Sequence, residues 1–184
     1  MRLFTAIDIP EDVRNRLERL TTHLRPCAHI KWNPVYNLHL TLKFIGEWPA
    51  EDVENLQSTL ATVAPGPPFE IDVRGVGWFP NPYHPRVFWA GIQSGPELQT
   101  LARAVETALL PHGVAKEERE FSPHLTLARI QQPTPLDKLR QAVADLVSVD
   151  FGTFTADRFF LYRSQPGSAG SIYTKLAEYP LTHP

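Results

Sequence analysis

One tetrapeptide, His-Leu-Thr-Leu, occurs twice in this chain of 184 residues, at 39–42 and again at 124–127. In a β-strand, residues i and i+2 point to the same face, so each histidine shares a face with the threonine two positions later. The leucines then point the other way, into a core. Two such strands facing each other across a cleft place two imidazoles and two hydroxyls around one small space.

These four groups suit acid–base chemistry at a phosphate diester. A neutral histidine takes a proton from water and a protonated histidine supplies one to the leaving oxygen, each role contributing about 10²–10⁴ in rate. Threonine hydroxyls donate hydrogen bonds to phosphoryl oxygens as charge develops on them. A strained 2′,3′-cyclic phosphate on a ribose needs such a set and no metal. A single His-x-Thr strand is more often structural, but two copies at one offset favour a functional pair.

The repeat extends beyond the tetrapeptide at nearly the same offset of 85 residues. The matching segments, called sequence echoes below, are 2–6 (RLFTA) with 86–90 (RVFWA), 10–11 (PE) with 96–97 (PE), and 69–72 (FEID) with 154–157 (FTAD). Matches that keep one order along the chain indicate a duplicated unit. We therefore expect a single bilobal domain over 1–184, whose similar halves of about 1–85 and 86–184 are related by a pseudo-two-fold axis.

The spacing of apolar residues predicts both strands and helices. Strands are expected at 2–8, 38–45, 69–78, 86–92, 123–130, 154–163 and 171–178, helices at 11–24, 49–63, 96–110 and 135–147, and Pro- and Gly-rich loops at 65–68, 80–85 and 165–170. Several adjacent strands are joined by short turns. This order predicts an α+β fold, with two largely antiparallel sheets flanking a central cleft and helices on the outside.

Composition narrows the class of protein. The chain is 42% hydrophobic and 21% charged, which is typical of a folded globular protein. The single cysteine, Cys27, excludes an internal disulfide and a Cys-rich metal site, and no other cluster has zinc-ligand spacing. We expect no leader and no membrane-spanning run, and hence a cytoplasmic protein. We also expect a monomer. The net charge of −2 argues against a broad polyanion-binding surface. The sequence therefore predicts that a nucleic acid binds through one end or one nucleotide.

The chain resembles the 2H phosphoesterase superfamily and, within it, the LigT-like RNA 2′,3′-cyclic phosphodiesterases, also known as 2′-5′ RNA ligases. The resemblance runs along nearly the whole chain. It is carried by 37–46 (NLHLTLKFIG), 121–129 (FSPHLTLAR), 2–4 (RLF) with Ala6 and Pro10, and 161–164 (LYRS) with Gly170 and Tyr173. The resemblance implies hydrolysis of a 2′,3′-cyclic phosphate, on RNA or a nucleotide, to a 2′-phosphomonoester, with no metal and no cofactor.

The resemblance also implies a role for each motif residue. His39 and His124 are the catalytic pair, with His39 protonating the leaving 3′-oxygen and His124 activating water. Thr41 and Thr126 bind the phosphate. From the residues alone the two histidines are nearly equivalent, so spacing does not decide which of them is the acid.

Phe44 and Arg129 each lie five residues beyond a motif histidine and are therefore equivalent positions of the repeat. With the resemblance, this predicts that they sandwich a nucleobase by stacking. The alternative role for Arg129, instead of stacking or in addition to it, is to bind the phosphate. On an ideal strand an offset of five puts both side chains on the face opposite the histidines, so a bulge or twist is required. Without one, Phe44 is a core residue and Arg129 a surface charge.

Two other functions stay open on the sequence. A 2′-5′ RNA ligase would use the same site with a ribose 5′-hydroxyl as nucleophile, and an RNA-end or nucleotide-binding module would use it without turnover. The intact histidines argue against the binding module. Weaker candidates are the cleft-rim residues Tyr36, Lys43, Arg163 and Tyr173, the loop residue His84, and His23, His29, His112 and His183, which are expected on the surface.

Overall fold

The computed structural model describes residues 1–182, so His183 lies outside the described residues. The strands are β1 (Arg2–Asp8), β2 (Lys31–Trp32), β3 (His39–Glu47), β4 (Phe69–Phe79), β5 (Val87–Ser94), β6 (His124–Arg129), β7 (Asp150–Ala156), β8 (Arg158–Gly167) and β9 (Gly170–Pro180). The α-helices are α1 (Glu11–Leu24), α2 (Val53–Ala61), α3 (Pro96–Leu109) and α4 (Asp137–Ala144). In α1, the apolar residues spaced three or four apart are all buried, as the periodicity predicts, and Thr21 is buried with them.

The strands form two antiparallel sheets. One has four strands in the order β3-β1-β8-β9, and the other has five in the order β2-β6-β5-β4-β7. Helix α1 packs against β7 and α4, while α3 packs against β3 and α2. The predicted α+β fold with two antiparallel sheets and helices packed on them is confirmed.

Each sheet takes strands from both halves of the chain. Strands β8 and β9 complete the sheet that β1 and β3 begin, and β4 joins the sheet of β5 and β6. For β4 the reason is its short connection to β5, where the Arg86 N–H donates to the Phe79 carbonyl at 2.6 Å. Strand β4 therefore pairs with the strand that follows it. The two sheets do not coincide with the halves 1–85 and 86–184.

Two of the sequence echoes are not structural equivalents. Ala6 pairs with Thr41, and Trp89 pairs with Thr126, so Ala6 corresponds to Trp89. The match of 2–6 with 86–90 is thus one residue out of register, which places matched side chains on opposite faces. The segments 69–72 and 154–157 pair with each other within one sheet. These two sequence matches therefore do not mark equivalent positions of the duplicated unit.

The predicted strand 154–163 is two strands in different sheets. Strand β7 lies at the edge of the five-stranded sheet, and after Asp157 the chain enters the four-stranded sheet as β8. Both strands bury aromatic residues, so the apolar pattern runs across the break. The helices predicted at 49–63 and 135–147 are shorter, the expected loop at 165–170 is largely a β8–β9 hairpin, and the short strand β2 was not predicted.

Candidate active site

A bulge in β3 decides where its side chains point. Thr41 pairs with Ala6, and Lys43 pairs with Thr5, the residue before Ala6. Leu42 therefore has no partner of its own in this pairing. A one-residue bulge reverses the faces taken by the residues that follow it. Phe44 consequently lies on the side of the histidine rather than opposite to it.

Strand β6 repeats this bulge at the equivalent position. Thr126 pairs with Trp89, and Ala128 pairs with Phe88, which leaves Leu127 as the extra residue. Arg129 is thereby brought to the side of its own motif histidine. Stacking by Phe44 and Arg129 requires a bulge after each motif, and both strands contain one.

A cleft of about 1030 Å³ brings all six predicted site residues together. Its lining includes His39, Thr41, Phe44, His124, Thr126 and Arg129. The four motif leucines belong to the buried core, as the strand periodicity predicts. Phe44 is 65% exposed, so the alternative interpretation of Phe44 as a core residue is wrong.

His39 lies in a cluster of polar and aromatic side chains at the start of β3. Its ring meets the rings of Tyr162 and Tyr173 edge-on, with centroids 4.8 and 4.9 Å away. Asp8 is its partner across the β1–β3 pairing. The Asp8 carboxylate accepts hydrogen bonds from the Tyr162 hydroxyl and from Lys175 Nζ, the latter at 2.5 Å.

Burial controls the charge of His39. Loss of solvent lowers the pKa of His39 to about 4, and the positive charges of Lys175 and Arg14 act in the same direction. The Asp8 carboxylate and a hydrogen bond to the Asn37 backbone oppose this shift and raise the pKa. His39 is therefore neutral at pH 7 when no ligand is bound.

His124 is oriented by the chain that leads into β6. Its Nδ1 lies 2.8 Å from the Ser122 carbonyl oxygen, which only accepts hydrogen bonds, so Nδ1 carries the proton and donates. In the neutral ring this leaves Nε2 as the proton acceptor. The Phe79 ring meets the imidazole edge-on at 5.0 Å, as Tyr162 meets His39. The residue across the strand pair is Gly91, where His39 has Asp8.

The cleft is more positive than the chain as a whole. Six basic and four acidic residues line it, although the net charge of the chain is −2. The basic residues are Arg2, Lys43, Arg103, Lys116, Arg119 and Arg129. Such a local excess of cations favours an anionic ligand.

Lys43 is buried rather than a residue of the open rim. Its Nζ lies 3.0 Å from a carboxylate oxygen of both Glu106 and Glu117, and it donates to the Ala115 carbonyl at 2.7 Å. Glu106 also accepts the Glu117 backbone N–H at 2.7 Å, and this hydrogen bond lowers the pKa of the Glu106 carboxyl. Lys43 thus ties β3 to the segment that precedes His124.

The remaining sequence candidates lie in different places. Tyr173 lines the cleft, Tyr36 lines a neighbouring groove, and Arg163 lines neither. His84 lines a separate pocket with Arg86 and Arg140. Of the other histidines, His23 and His29 are exposed as predicted, whereas His112 is half-buried with its Nε2 2.8 Å from the Thr59 hydroxyl.

Sequence reasoning missed the polar neighbours of His39. Alternation along β1 places Asp8 on the face of Phe4 and Ala6, and that was an available signal. Tyr162 and Lys175 come from the β8–β9 hairpin, more than a hundred residues from His39 along the chain. Their approach depends on sheet order, which the spacing of single residues does not reveal.

The described residues, 1–182, show neither a metal-ligating cluster nor a helix able to span a membrane. No group of three or more His, Cys, Asp or Glu side chains is placed to hold a metal ion. No helix in this part of the chain is both long enough and apolar enough to cross a membrane.

Comparison with known proteins gives consistent matches along the chain. A family model described as LigT like Phosphoesterase matches residues 7–89 and 92–173, two segments that begin at the same spacing as the two motifs. The RNA 2′,3′-cyclic phosphodiesterase of Methanothermobacter thermautotrophicus is 33% identical over 183 residues, covering 98% of this chain and 99% of its own. The protein of that name from Thermus thermophilus is 35% identical over 190 residues, covering 98% and 90%.

Solved structures agree with the fold described above. A crystal structure of a Thermus thermophilus protein superposes with a TM-score of 0.82 and 32% identity, covering 100% of this chain and 99% of that chain. The crystal structure of E. coli LigT complexed with 3′-AMP gives a TM-score of 0.79 and 27% identity, covering 99% and 98%.

Proposed function

Because the chain belongs to the LigT-like phosphoesterase family, we propose that it is an RNA 2′,3′-cyclic phosphodiesterase. The observation that carries the proposal is that two bulged strands present both His-Thr pairs to one basic cleft. The relatives named above bear that activity in their names and match this chain over its length. In this proposal the enzyme is a cytoplasmic monomer that acts on RNA ends or nucleotides and needs neither metal nor cofactor.

The proposed reaction requires two proton transfers. His124 accepts a proton from water at Nε2 as the water oxygen attacks phosphorus. The bond from phosphorus to the 3′-oxygen breaks, and His39 gives that oxygen a proton, which leaves a 2′-phosphomonoester and a free 3′-hydroxyl. Thr41 and Thr126 donate hydrogen bonds to the phosphoryl oxygens while charge develops on them.

The charges around His39 support its role as the acid. Asp8 stabilises a positive imidazolium, and the position across from His124 is a glycine with no such group. Burial opposes protonation in the free protein, but an anionic phosphate in the cleft raises the pKa of His39 by charge attraction. The proton is thus taken up when substrate binds and is available at the moment the 3′-oxygen leaves.

Phe44 and Arg129 hold the terminal base in this proposal. Both lie on the histidine face of their strands because of the equivalent bulges at Leu42 and Leu127. The exposed Phe44 ring offers an apolar face, and the Arg129 guanidinium offers a planar cationic one. The guanidinium also lies close enough to the motif residues to line the same cleft as the phosphate-binding threonines.

Hydrolysis of adenosine 2′,3′-cyclic phosphate tests the proposal directly. We expect His39→Ala and His124→Ala each to lower kcat at least about 100-fold, with the 2′-phosphate as the only product of the wild type. His84→Ala is the matched control, because that histidine lies in a separate pocket. Near wild-type rates in both motif variants would refute the catalytic pair. Loss of activity in EDTA that only a divalent metal restores would refute the metal-free mechanism.

An activated diester separates the acid from the base. Bis(4-nitrophenyl) phosphate has a leaving group that departs without a proton, so loss of the general acid costs little with this substrate. The His39→Ala variant should therefore keep most of the wild-type rate on it, while His124→Ala should not. The reverse pattern would assign the acid to His124.

A further inference from the structure

A second groove adjoins the cleft, and His39 lies between the two, lining both. It has a volume of about 630 Å³ and shares His39, Asn37, Ser171 and Tyr173 with the lining of the cleft. Tyr36 and Lys175 line only the groove. Because Tyr36 precedes His39 along the chain and Phe44 follows it, the groove and the proposed base site lie toward opposite ends of the β3 segment.

The chemistry of the groove wall suits a nucleoside. Tyr36 is 68% exposed and Ile172 is 55% exposed, so two of the large apolar side chains on the described surface open onto this one space. The tip of the β8–β9 hairpin contributes only glycine, serine and alanine at 167–171, which leaves room for a bulky ligand. The Asn37 side chain donates to the Ser171 carbonyl at 2.8 Å and fixes the tip beside Tyr36.

Lys175 supplies a positive charge in the groove, beside the Asp8 carboxylate that lies across the strand pair from His39. One of its three ammonium donors is used by the Asp8 carboxylate at 2.5 Å, and its Nζ lies 4.0 Å from the centre of the Phe160 ring. The side chain is about half exposed, so a donor is left to face a phosphate oxygen.

The shape of ribose connects the two spaces. The 2′ and 3′ oxygens that carry the cyclic phosphate lie on one edge of the sugar ring. The base on C1′ and the 5′-carbon on C4′ are attached on either side of the ring oxygen and diverge from each other. With the phosphate at the histidines and the base toward Phe44, the 5′ side of the nucleotide points toward Asn37 and Tyr36.

We propose that this groove binds the nucleotide on the 5′ side of the cyclic phosphate, with its base stacked on Tyr36 and the connecting phosphodiester near Lys175. The proposal rests on the proposed function and extends it. It makes RNA oligonucleotides, rather than free cyclic mononucleotides, the substrate class for which the site is built.

The test compares a dinucleotide 2′,3′-cyclic phosphate, ApA>p, with the mononucleotide A>p. We expect wild-type kcat/KM to be at least about fivefold higher for ApA>p, because stacking one base on an aromatic ring is worth that much or more. Tyr36→Ala should remove most of this preference, and Tyr36→Phe, which keeps the ring, should retain it. Tyr83→Ala is the matched control, because Tyr83 is 79% exposed but lines a different pocket.

Equilibrium binding of the corresponding 2′-phosphates, ApA2′p and A2′p, keeps the test independent of turnover. If neither cyclic phosphate is hydrolysed but ApA2′p binds more tightly and Tyr36→Ala abolishes the difference, the proposed function fails and the groove assignment stands. Equal wild-type affinity for the two ligands overturns the assignment. An equal loss with both ligands in Tyr36→Ala also overturns it, since that points to a structural role. A Tyr36→Ala defect confined to ligation with a 5′-hydroxyl acceptor would place the acceptor strand in the groove instead.

Discussion

The burial of His39 makes the stability of this protein depend on pH in a predictable direction. The pKa of His39 is about 4 in the folded protein and 6.5 for an unperturbed histidine, so the unfolded chain binds the proton more tightly. Stability supplied by the neutral ring is complete above pH 6.5 and is lost as the pH falls toward 4. Integrating this one site gives a loss of about 2 kcal/mol between about pH 7 and pH 5.

The comparison that isolates this effect uses His39→Gln, which does not titrate. The free energy of unfolding is measured by urea denaturation at about pH 7, 6 and 5, followed by the fluorescence of the four tryptophans. The other titratable groups contribute equally to both proteins, so the difference between the two pH profiles belongs to His39. Wild type should lose about 2 kcal/mol more than the variant over this range. Parallel profiles, within a few tenths of a kcal/mol, would show that His39 is not desolvated in the folded state and would remove the basis for its neutral resting form.

Three further results are expected. Sulfate does not titrate near neutral pH, so protons taken up when it binds in the cleft at about pH 6 come to the protein. Wild type should take up as much as about one proton and His39→Gln less, measured by calorimetry in buffers of different ionisation enthalpy. Equal proton uptake by the two proteins would contradict the charge assigned to His39. Phe44→Ala should raise KM for adenosine 2′,3′-cyclic phosphate at least about fivefold while Phe44→Tyr does not, and an unchanged KM would count against stacking. Lys43→Met should lower the free energy of unfolding by about 3 kcal/mol in urea denaturation, because it leaves the Glu106 carboxylate without its cation. Lys31→Met, which changes an exposed lysine, should not lower it.

The motif residues were predictable because their positions depend on local rules. Strand alternation alone places His39 with Thr41 and turns the leucines inward, and the structure shows that arrangement. The odd offset to Phe44 likewise predicted that stacking needs a bulge, and the pairing of Thr41 and Lys43 shows one at Leu42. These inferences use only neighbours within one strand.

The parts that the sequence did not reveal depend on contacts between distant segments. Simple alternation along the strand predicts that Lys43 faces outward, yet the bulge turns it inward, where Glu106 and Glu117 neutralise it. The sheet order was equally hidden, since internal similarity suggests two separate halves, whereas the tight β4–β5 connection forces strands of both halves into one sheet. Duplication in a sequence therefore shows that two units are alike without showing which strands pair.

The departure from symmetry at the histidines has a steric cause and a chemical consequence. Strand β4 changes register between Val73 and Val76, and a Cβ built on Gly91 would lie 2.4 Å from the Arg74 carbonyl oxygen. A carboxylate therefore cannot stand opposite His124 unless the backbone moves, whereas Asp8 stands opposite His39. The two histidines of the duplicated motif therefore have different neighbours across their strand pairs, a carboxylate beside His39 and a glycine beside His124. Acid–base hydrolysis needs two histidines that act differently, because one imidazole must give a proton while the other takes one.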